Sequence, residues 1–530
     1  MSHATARTIS LEGAGGHLID VQVDLSHGVV KTALVGRPDA AIAESRDRCR
    51  AALTNTGFDW PSTRRVTILL SPADLPKRGP HFDLAIAVAV LAAAGEVPRG
   101  ALDGLVLVGE LTLDGRMRAV PGVLPMAMAA AARGMGRMLV PEPQVEEAAL
   151  VPDLEVIGVR SLAQVVACLR GEPVPEAPPV APPSGSRLLS WRGEHRLDDL
   201  DLADVLGMAD ARYALEVAAA GGHHLMLSGP KGAGKTTLAE RLPGLMPDLG
   251  VDEALELSAI YSLSGGLPPG QAMVSRPPFR APHHSATRAS VLGGGTGRVH
   301  PGEVSRAHHG TLFLDEFPLF QADIVEGLRE PLESGEVTIA RGEDSATFPA
   351  RCLVVLACNP CPCGDYHVSA AEDRCTCTET ARRHYRRKLA GPVIDRIDIT
   401  RHVQPVRQHE ADDPLARPES TAEVRSRVVD ARARQQLRYR TTSWRLNADV
   451  PGPALRSRWP LAGDALRLLD TQVYDGRLTR RGATRVHRLA WTVADLAAVE
   501  VPGETELDTA LRLRTGEPLL LRNLPTVAGA

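Results

Sequence analysis

The chain has 530 residues, 44% of them hydrophobic and 23% charged, with a formal net charge of −4. That length exceeds one hydrophobic core, so several domains are expected, and the near-neutral balance leaves any nucleic-acid contact to local patches. No apolar run reaches the length of a membrane span, and Met1 to Thr8 lack the apolar core of a secretory signal, so a cytoplasmic protein without membrane contact is expected.

From Ile9 to about Gly171 the pattern is mixed α/β. Val21 to Asp24, Val29-Val30 and Val66 to Leu70 read as strands, and Ala40 to Leu53 has a helical apolar period. Asp83 to Ala94 reads as a buried helix of small residues; Leu105 to Glu110, Leu111 to Leu113, the Ala-rich helix Val123 to Arg133 and Met138 to Pro141 complete the unit. Glu172 to Ser186 is proline-rich and reads as an extended spacer, with a polyproline ligand as the sharper alternative.

A helix from Ala209 to Ala220 then feeds the short apolar run Leu225-Met226-Leu227. Gly229, Gly234, Lys235 and Thr236 follow as G-x-x-x-x-G-K-[ST], in the order strand, loop, helix that the motif requires. Backbone N–H groups of Gly229, Pro230, Lys231, Gly232, Ala233 and Gly234, proline excepted, close on a β-phosphate. Lys235 reaches the β/γ oxygens, Thr236 ligates Mg²⁺, and Thr237 ends the loop. Downstream, the strand Thr311 to Leu314 ends in Asp315-Glu316. There Asp315 orients Mg²⁺ and Glu316 polarises the attacking water. A further buried strand, Leu353 to Ala357, ends at Asn359, placed to orient the same water.

Between these strands, Glu336 to Arg351 reads as a β-hairpin around Gly342. An insert from about Ser258 to His309 is rich in Gly, Pro and His, and both segments are expected to project. Six of the eight cysteines lie between Cys352 and Cys377. Cys361, Cys363, Cys375 and Cys377 form C-x-C…C-x-C; four thiolates can hold a structural zinc ion, although ribbons favour C-x₂-C, and a metal-free loop is the alternative. Paired His283 and His284 suit hydrogen bonding or DNA contact. Ala381 to Leu389 is a basic helical run, either a solvated face or a phosphate-tracking or intersubunit surface. Helical periods at Thr421 to Tyr439, Leu461 to Asp470 and Thr479 to Ala498 make the last domain all-α, and beyond about Arg512 only a tail is legible.

Arg276 to Ser285 (RPPFRAPHHS), Gly302 to His308, Leu328 to Gly335, Ala390 to Asp398 and Ala490 to Leu496 are more diagnostic still. On these strings the chain resembles the YifB/ComM family of magnesium-chelatase-like AAA+ ATPases along nearly its whole length. The resemblance implies an α/β multidomain protein: residues 1–171 as a ChlI-type, Lon-protease-like (S5-like) domain, 172–190 as linker, 191–411 as AAA+ core with the Cys-rich segment 352–377, 412–512 as helical lid, and 513–530 as tail. It implies that the two inserts are the helix-2 insert and presensor-1 hairpin, and that ATP sits at subunit interfaces of a homo-hexamer. Arg396 falls at the position of an arginine finger acting in trans, and Arg481 at that of a lid sensor. His81 and Leu124 stand where Lon proteases carry their serine and lysine, so proteolysis is not expected.

ATP hydrolysis with Mg²⁺ is therefore the expected chemistry. The resemblance implies work on single-stranded or branched DNA, as helicase-driven branch migration in transformation or recombination, with Arg288, Arg298, Arg341 and the run Arg382 to Lys388 offered to phosphates. The alternatives are a chelatase-like ATPase that remodels a protein partner and an assembly protein that ATP merely locks.

Overall fold

A computed structural model describes residues 3–181, 197, 199–265, 273–295, 299–341, 344–366, 375–389, 391–405 and 418–520, with only the backbone of 341 and 344. Arg298 and the side chain of Arg341 lie outside the described residues, as do linker residues 182–190.

The first unit is a seven-stranded mixed sheet. Its strands are β1 (His3–Glu12), β2 (Gly15–Ser26), β3 (Thr32–Val35), β4 (Arg65–Ser71), β5 (Leu105–Leu107), β6 (Arg137–Pro141) and β7 (Glu155–Val159), in the order β3-β4-β2-β1-β5-β6-β7. Helices α1 (Ala40–Asn55), α2 (Asp83–Ala94), α3 (Val123–Ala132) and α4 (Leu162–Arg170) cover it. Because α2 is apolar on all sides, it is buried on all sides; the one charge in its first turn, Asp83, is fully buried and held by Arg48 Nε at 2.8 Å. Val29 and Val30 are not a strand: they are 83% and 60% exposed in the turn after Gly28, and the parallel partner of β4 is Thr32–Val35. The proline-rich segment does not leave the domain at once. Arg160 donates to the Ala177 carbonyl, Gln164 to that of Pro175, and Val180 is buried in the core, so its first ten residues are strapped down.

The central segment is built on a five-stranded, all-parallel sheet. After α5 (Ala209–Gly221) come β8 (Leu225–Ser228), α6 (Lys235–Leu245), α7 (Val251–Leu263), β9 (Phe279–Arg280), β10 (Thr311–Leu314), the hairpin β11 (Glu336–Arg341) and β12 (Asp344–Pro349), β13 (Leu353–Cys358), α8 (Glu379–Lys388) and β14 (Ile399–His402). The sheet order is β9-β10-β13-β8-β14, and the continuously buried runs of β10 and β13 are what central parallel strands require. Neither insert stands wholly free. The Gly/Pro/His-rich one begins inside α7, contributes edge strand β9, and buries Val291, Leu292, Val304 and Ala307 against Leu312 and Leu314. The hairpin buries Phe348 and Ala346 with Leu263 against Leu11 and Ala14, the first turn of the N-terminal sheet. Leu255 and Ala259 of α7 also pack into the α3 cluster.

Helices α9 (Thr421–Tyr439), α10 (Gly463–Tyr474), α11 (Arg480–Leu496) and α12 (Glu504–Thr515) close the chain. Helix α12 runs past the point where only a tail is legible in sequence, and Leu507, Ala510, Leu513 and Leu519 are buried.

Candidate nucleotide-binding site

Loops at the carboxyl ends of parallel strands are where an open α/β sheet presents ligands, and β8 ends there. The chain leaves Ser228, crosses Gly229 to Gly234 and enters α6 at Lys235, with Gly232 and Gly234 in the left-handed region at φ 72° and 82°. Gly229 is dictated by a close approach: a Cβ there would lie 2.1 Å from the Val403 carbonyl oxygen, just beyond β14. The result is a helix whose first N–H groups face an open loop, an anion-binding arrangement.

Three strands deliver side chains to this loop. Lys235, only 8% exposed, donates from Nζ to the carbonyls of Gly229 (2.7 Å) and Pro230 (2.8 Å) and to Asn359 Oδ1 (3.0 Å), just after β13. Burial pushes its pKa down; Asp315, Cys358 and Glu316 oppose that shift. Thr236 Oγ1 donates to Asp315 Oδ2 at 3.2 Å, so a hydroxyl and a carboxylate meet at the mouth of β10. Oxygen ligands of this kind suit Mg²⁺, and the pair fits that ion. Glu316 follows in a left-handed conformation, φ 50° and ψ 41°, its own N–H donating to Asp315 Oδ1 at 2.9 Å. The two carboxylates meet different neighbours: Asp315 the loop threonine, Glu316 the His284 ring.

At the start of α6 the structure pairs Lys235 with Asn359 and Thr236 with Asp315, with Glu316 next in the chain. Lys231 and Thr237 are exposed, and Ala233 is buried in the core. Arg396 and Arg481 engage elsewhere. Arg396, 6% exposed, binds Glu333 and the Pro392 carbonyl and lines a cavity of about 430 Å³ with Glu326, Arg329 and Glu330. Arg481 is exposed on the first turn of α11; one turn on, Arg485 is mostly covered and paired with Asp398 before β14.

The four cysteines converge beside the loop. Sγ–Sγ distances are 3.3 Å for Cys361–Cys363, 3.6 Å for Cys363–Cys375 and 3.6 Å for Cys375–Cys361, and all four ligand atoms, Cys377 included, lie within 4.8 Å of one another. A tetrahedral zinc–thiolate site has sulfurs about 3.8 Å apart, so the set fits zinc. The turn is tied to the loop: a Cβ on Gly364 would be 3.1 Å from Lys231 Cγ. A second cluster, Glu256 with His308 and His309, does not fit a metal as well. His308 Nδ1 accepts the Arg351 N–H at 3.0 Å, so its Nε2 carries the proton and donates to Glu256.

Two pairings are not legible in the sequence. His284 faces Glu316, Nδ1 to Oε2 3.6 Å, across a separation no motif spans. His223, Asp398 and Arg485 form a buried network at the opposite end of the sheet, where His223 also meets Thr492 Oγ1 at 2.7 Å. In the N-terminal unit, His81 is buried with Nε2 2.8 Å from the Ile9 carbonyl, and Leu124 lies in the core.

Comparison with known proteins gives matches along nearly the whole chain. The family described as magnesium chelatase, subunit ChlI, matches residues 201–411; that described as subunit ChlI of Mg-chelatase matches 21–144; and that described as the ChlI C-terminal part matches 418–514. An uncharacterised protein of Mycobacterium tuberculosis is 44% identical over 97% of this chain and 99% of its own length. The uncharacterised protein YifB of Escherichia coli is 38% identical over 98% of this chain and 99% of its own. The competence protein ComM of Haemophilus influenzae is 36% identical over 98% and 99%.

Proposed function

Because the chain belongs to the YifB/ComM family of magnesium-chelatase-like AAA+ proteins, we propose that it is an ATP hydrolase that assembles as a homo-hexameric ring and moves on single-stranded or branched DNA. The observation that carries the ATP reading is the convergence of Lys235, Thr236, Asp315 and Asn359 on one helix N-terminus. In that reading Lys235 exchanges its carbonyl partners for the β/γ oxygens, and the loop N–H groups hold the β-phosphate. Thr236 and Asp315 would hold Mg²⁺, which supplies charge neutralisation on the phosphates. Glu316 takes a proton from the attacking water, Asn359 orients that water, Arg396 of one subunit serves the neighbour's phosphate, and Arg481 senses it from its own lid. Cys361, Cys363, Cys375 and Cys377 would hold a zinc ion that fixes the turn against Lys231, outside the chemistry.

Two features support DNA as the substrate: a full-length relative is named a competence protein, and Arg383, Arg386, Arg387 and Lys388 are exposed along α8. With few aromatics, such a surface tracks phosphates without reading sequence. The ChlI match favours, as second reading, a remodelling ATPase acting on a protein partner. ATPase rates with Mg²⁺, alone and with single-stranded, duplex and branched DNA, separate the two. Several-fold stimulation by branched or single-stranded DNA, absent in Lys235→Ala, supports the DNA motor; turnover indifferent to every DNA refutes it.

A further inference from the structure

The turn between β2 and β3 is made of residues that chain reversal does not ask for. His27, Val29, Val30 and Lys31 are all exposed there, Val29 at 83% and Val30 at 60%. A reversal favours Gly, Asn, Asp or Ser, and Gly28, at φ 147°, already supplies the unusual backbone conformation. The two valines are therefore stiff apolar side chains held out in water. The sheet surrounds them with cations. Arg65 lies opposite Ser26, the last residue of β2, and the Lys31 carbonyl accepts the Val66 N–H at 3.0 Å, so Lys31, Arg64 and Arg65 share one end of the sheet with the valines. All three cations are exposed, and among the described residues their side chains have no hydrogen bond or ion pair. Asp24 and Asp59, the exposed acids on the same segments, pair with none of them.

Strand β2 sets how far this tip stands from the motor. At its start, a Cβ on Gly13 would lie 2.5 Å from the Thr347 carbonyl oxygen, and Leu11 and Ala14 pack with Phe348, so this end is seated on the β11–β12 hairpin. The 12 residues of β2 then carry the chain away, about 35–40 Å at the rise of an extended strand. The tip is thus the end of the N-terminal sheet remote from the hairpin. Three unpaired cations fit a polyanion, and two apolar side chains among them fit one that offers apolar faces between its charges. Branched DNA does so where stacking is interrupted, with phosphates on either side of uncovered base faces.

We propose that this turn, with Arg64 and Arg65, is a second DNA contact: Lys31, Arg64 and Arg65 hold phosphates beside a branch point while Val29 and Val30 press against its unstacked bases. This rests on the reading of DNA as the substrate; it adds where the N-terminal unit grips that substrate, apart from the basic face of α8.

The test is fluorescence anisotropy of a labelled four-strand junction, and of a duplex of equal length, titrated with the full chain in Mg²⁺ and a non-hydrolysable ATP analogue at several salt concentrations. Combining Lys31→Gln, Arg64→Gln and Arg65→Gln lowers the slope of log affinity against log salt on the junction by about 0.9 per cation, about 2.7 in all. Val29→Ser with Val30→Ser keeps the parent slope and weakens the junction about tenfold relative to the duplex, the order expected for two partly buried valines. Arg383→Gln with Arg386→Gln on α8 lowers affinity for both DNAs and serves as the comparison. A cation variant with the parent slope overturns the proposal, as does a valine variant that keeps the parent's preference for the junction. A parent that binds neither DNA removes the DNA reading and this one with it; a parent that binds both through α8, with both tip variants indifferent, removes the tip alone. Capture of the parent by anionic phospholipid vesicles, lost in both tip variants while DNA binding stands, assigns the tip to a membrane surface and overturns the proposal as well.

Discussion

Gly229→Ala tests whether the loop geometry, rather than its composition, sets turnover. An added Cβ at this position would lie 2.1 Å from the Val403 carbonyl oxygen and 3.1 Å from its carbon. Ordinary contact begins near 3.2 Å, so one of the two backbones must retreat by about 1 Å. Neither is free to do so: Val403 N–H is bonded to Ser228 O at 2.7 Å and Gly229 N–H to Cys358 O at 3.2 Å, which ties the loop to strands on both sides. Overpacking of this kind costs about 1–3 kcal/mol of stability. A 1 Å displacement of a positioning element costs about 100-fold in rate. Gly232→Ala is the matched control. Gly232 sits at φ 72° with nothing within 4 Å of a new Cβ, so it loses only the left-handed preference, about 1–2 kcal/mol, and keeps the position of the loop. Thermal unfolding and ATPase rate, measured for both variants, give the comparison. A Gly229→Ala protein that turns over like the parent, or a Gly232→Ala protein that is the worse of the two, refutes the reasoning.

Mixing Arg396→Ala with parent subunits should depress turnover more than in proportion to the variant added, because each variant silences its neighbour's site; strict proportionality in the mixing curve contradicts a role in trans. Metal analysis should find about one zinc per chain, and stripping it with a chelator should lower the unfolding temperature, whereas a metal-free protein indifferent to chelator leaves the cysteines as a plain turn. The pH dependence of stability has a defined sign. Burial lowers the imidazole pKa values of His224, His308 and His487 from 6.5 to about 4. The unfolded chain therefore binds more protons between these values, and stability present above pH 6.5 is lost as pH falls toward 4, by up to about 3 kcal/mol per histidine. A melting temperature that is flat from pH 7 to pH 5 would sink this account.

What could be seen in the sequence divides by locality. The phosphate loop is contiguous, and its glycines, lysine and threonine mean something only in that order, so Gly229 to Thr236 could be placed from residues alone. The acidic strand and Asn359 are short local patterns as well. Strand β1 passed unseen because its inward residues near the start are Ala4 and Ala6, too small to mark an alternation. The insert reads as a projection because its buried residues, Val291, Leu292, Val304 and Ala307, are dispersed among glycines, prolines and histidines with no period. Arg396 is singled out only by the family resemblance, and its engagement with Glu333 joins residues 63 apart and leaves no trace in any local pattern. The same holds for His284 and Glu316, which meet only because β9 and β10 are neighbours in the sheet. The cysteines show the intermediate case: their crowding was visible, whereas their closure beside Lys231 depends on the turn at Gly364.

The central claim is that ATP hydrolysis at Glu316 drives movement on DNA. A synthetic four-strand junction with one labelled arm, incubated with the protein, Mg²⁺ and ATP, tests it most directly. The account predicts exchange of the labelled strand by the parent protein and none by Glu316→Gln, which should still bind ATP while losing about 10²–10⁴-fold in hydrolysis. A junction left intact by a parent protein that hydrolyses ATP, or exchanged equally well by Glu316→Gln, would contradict it.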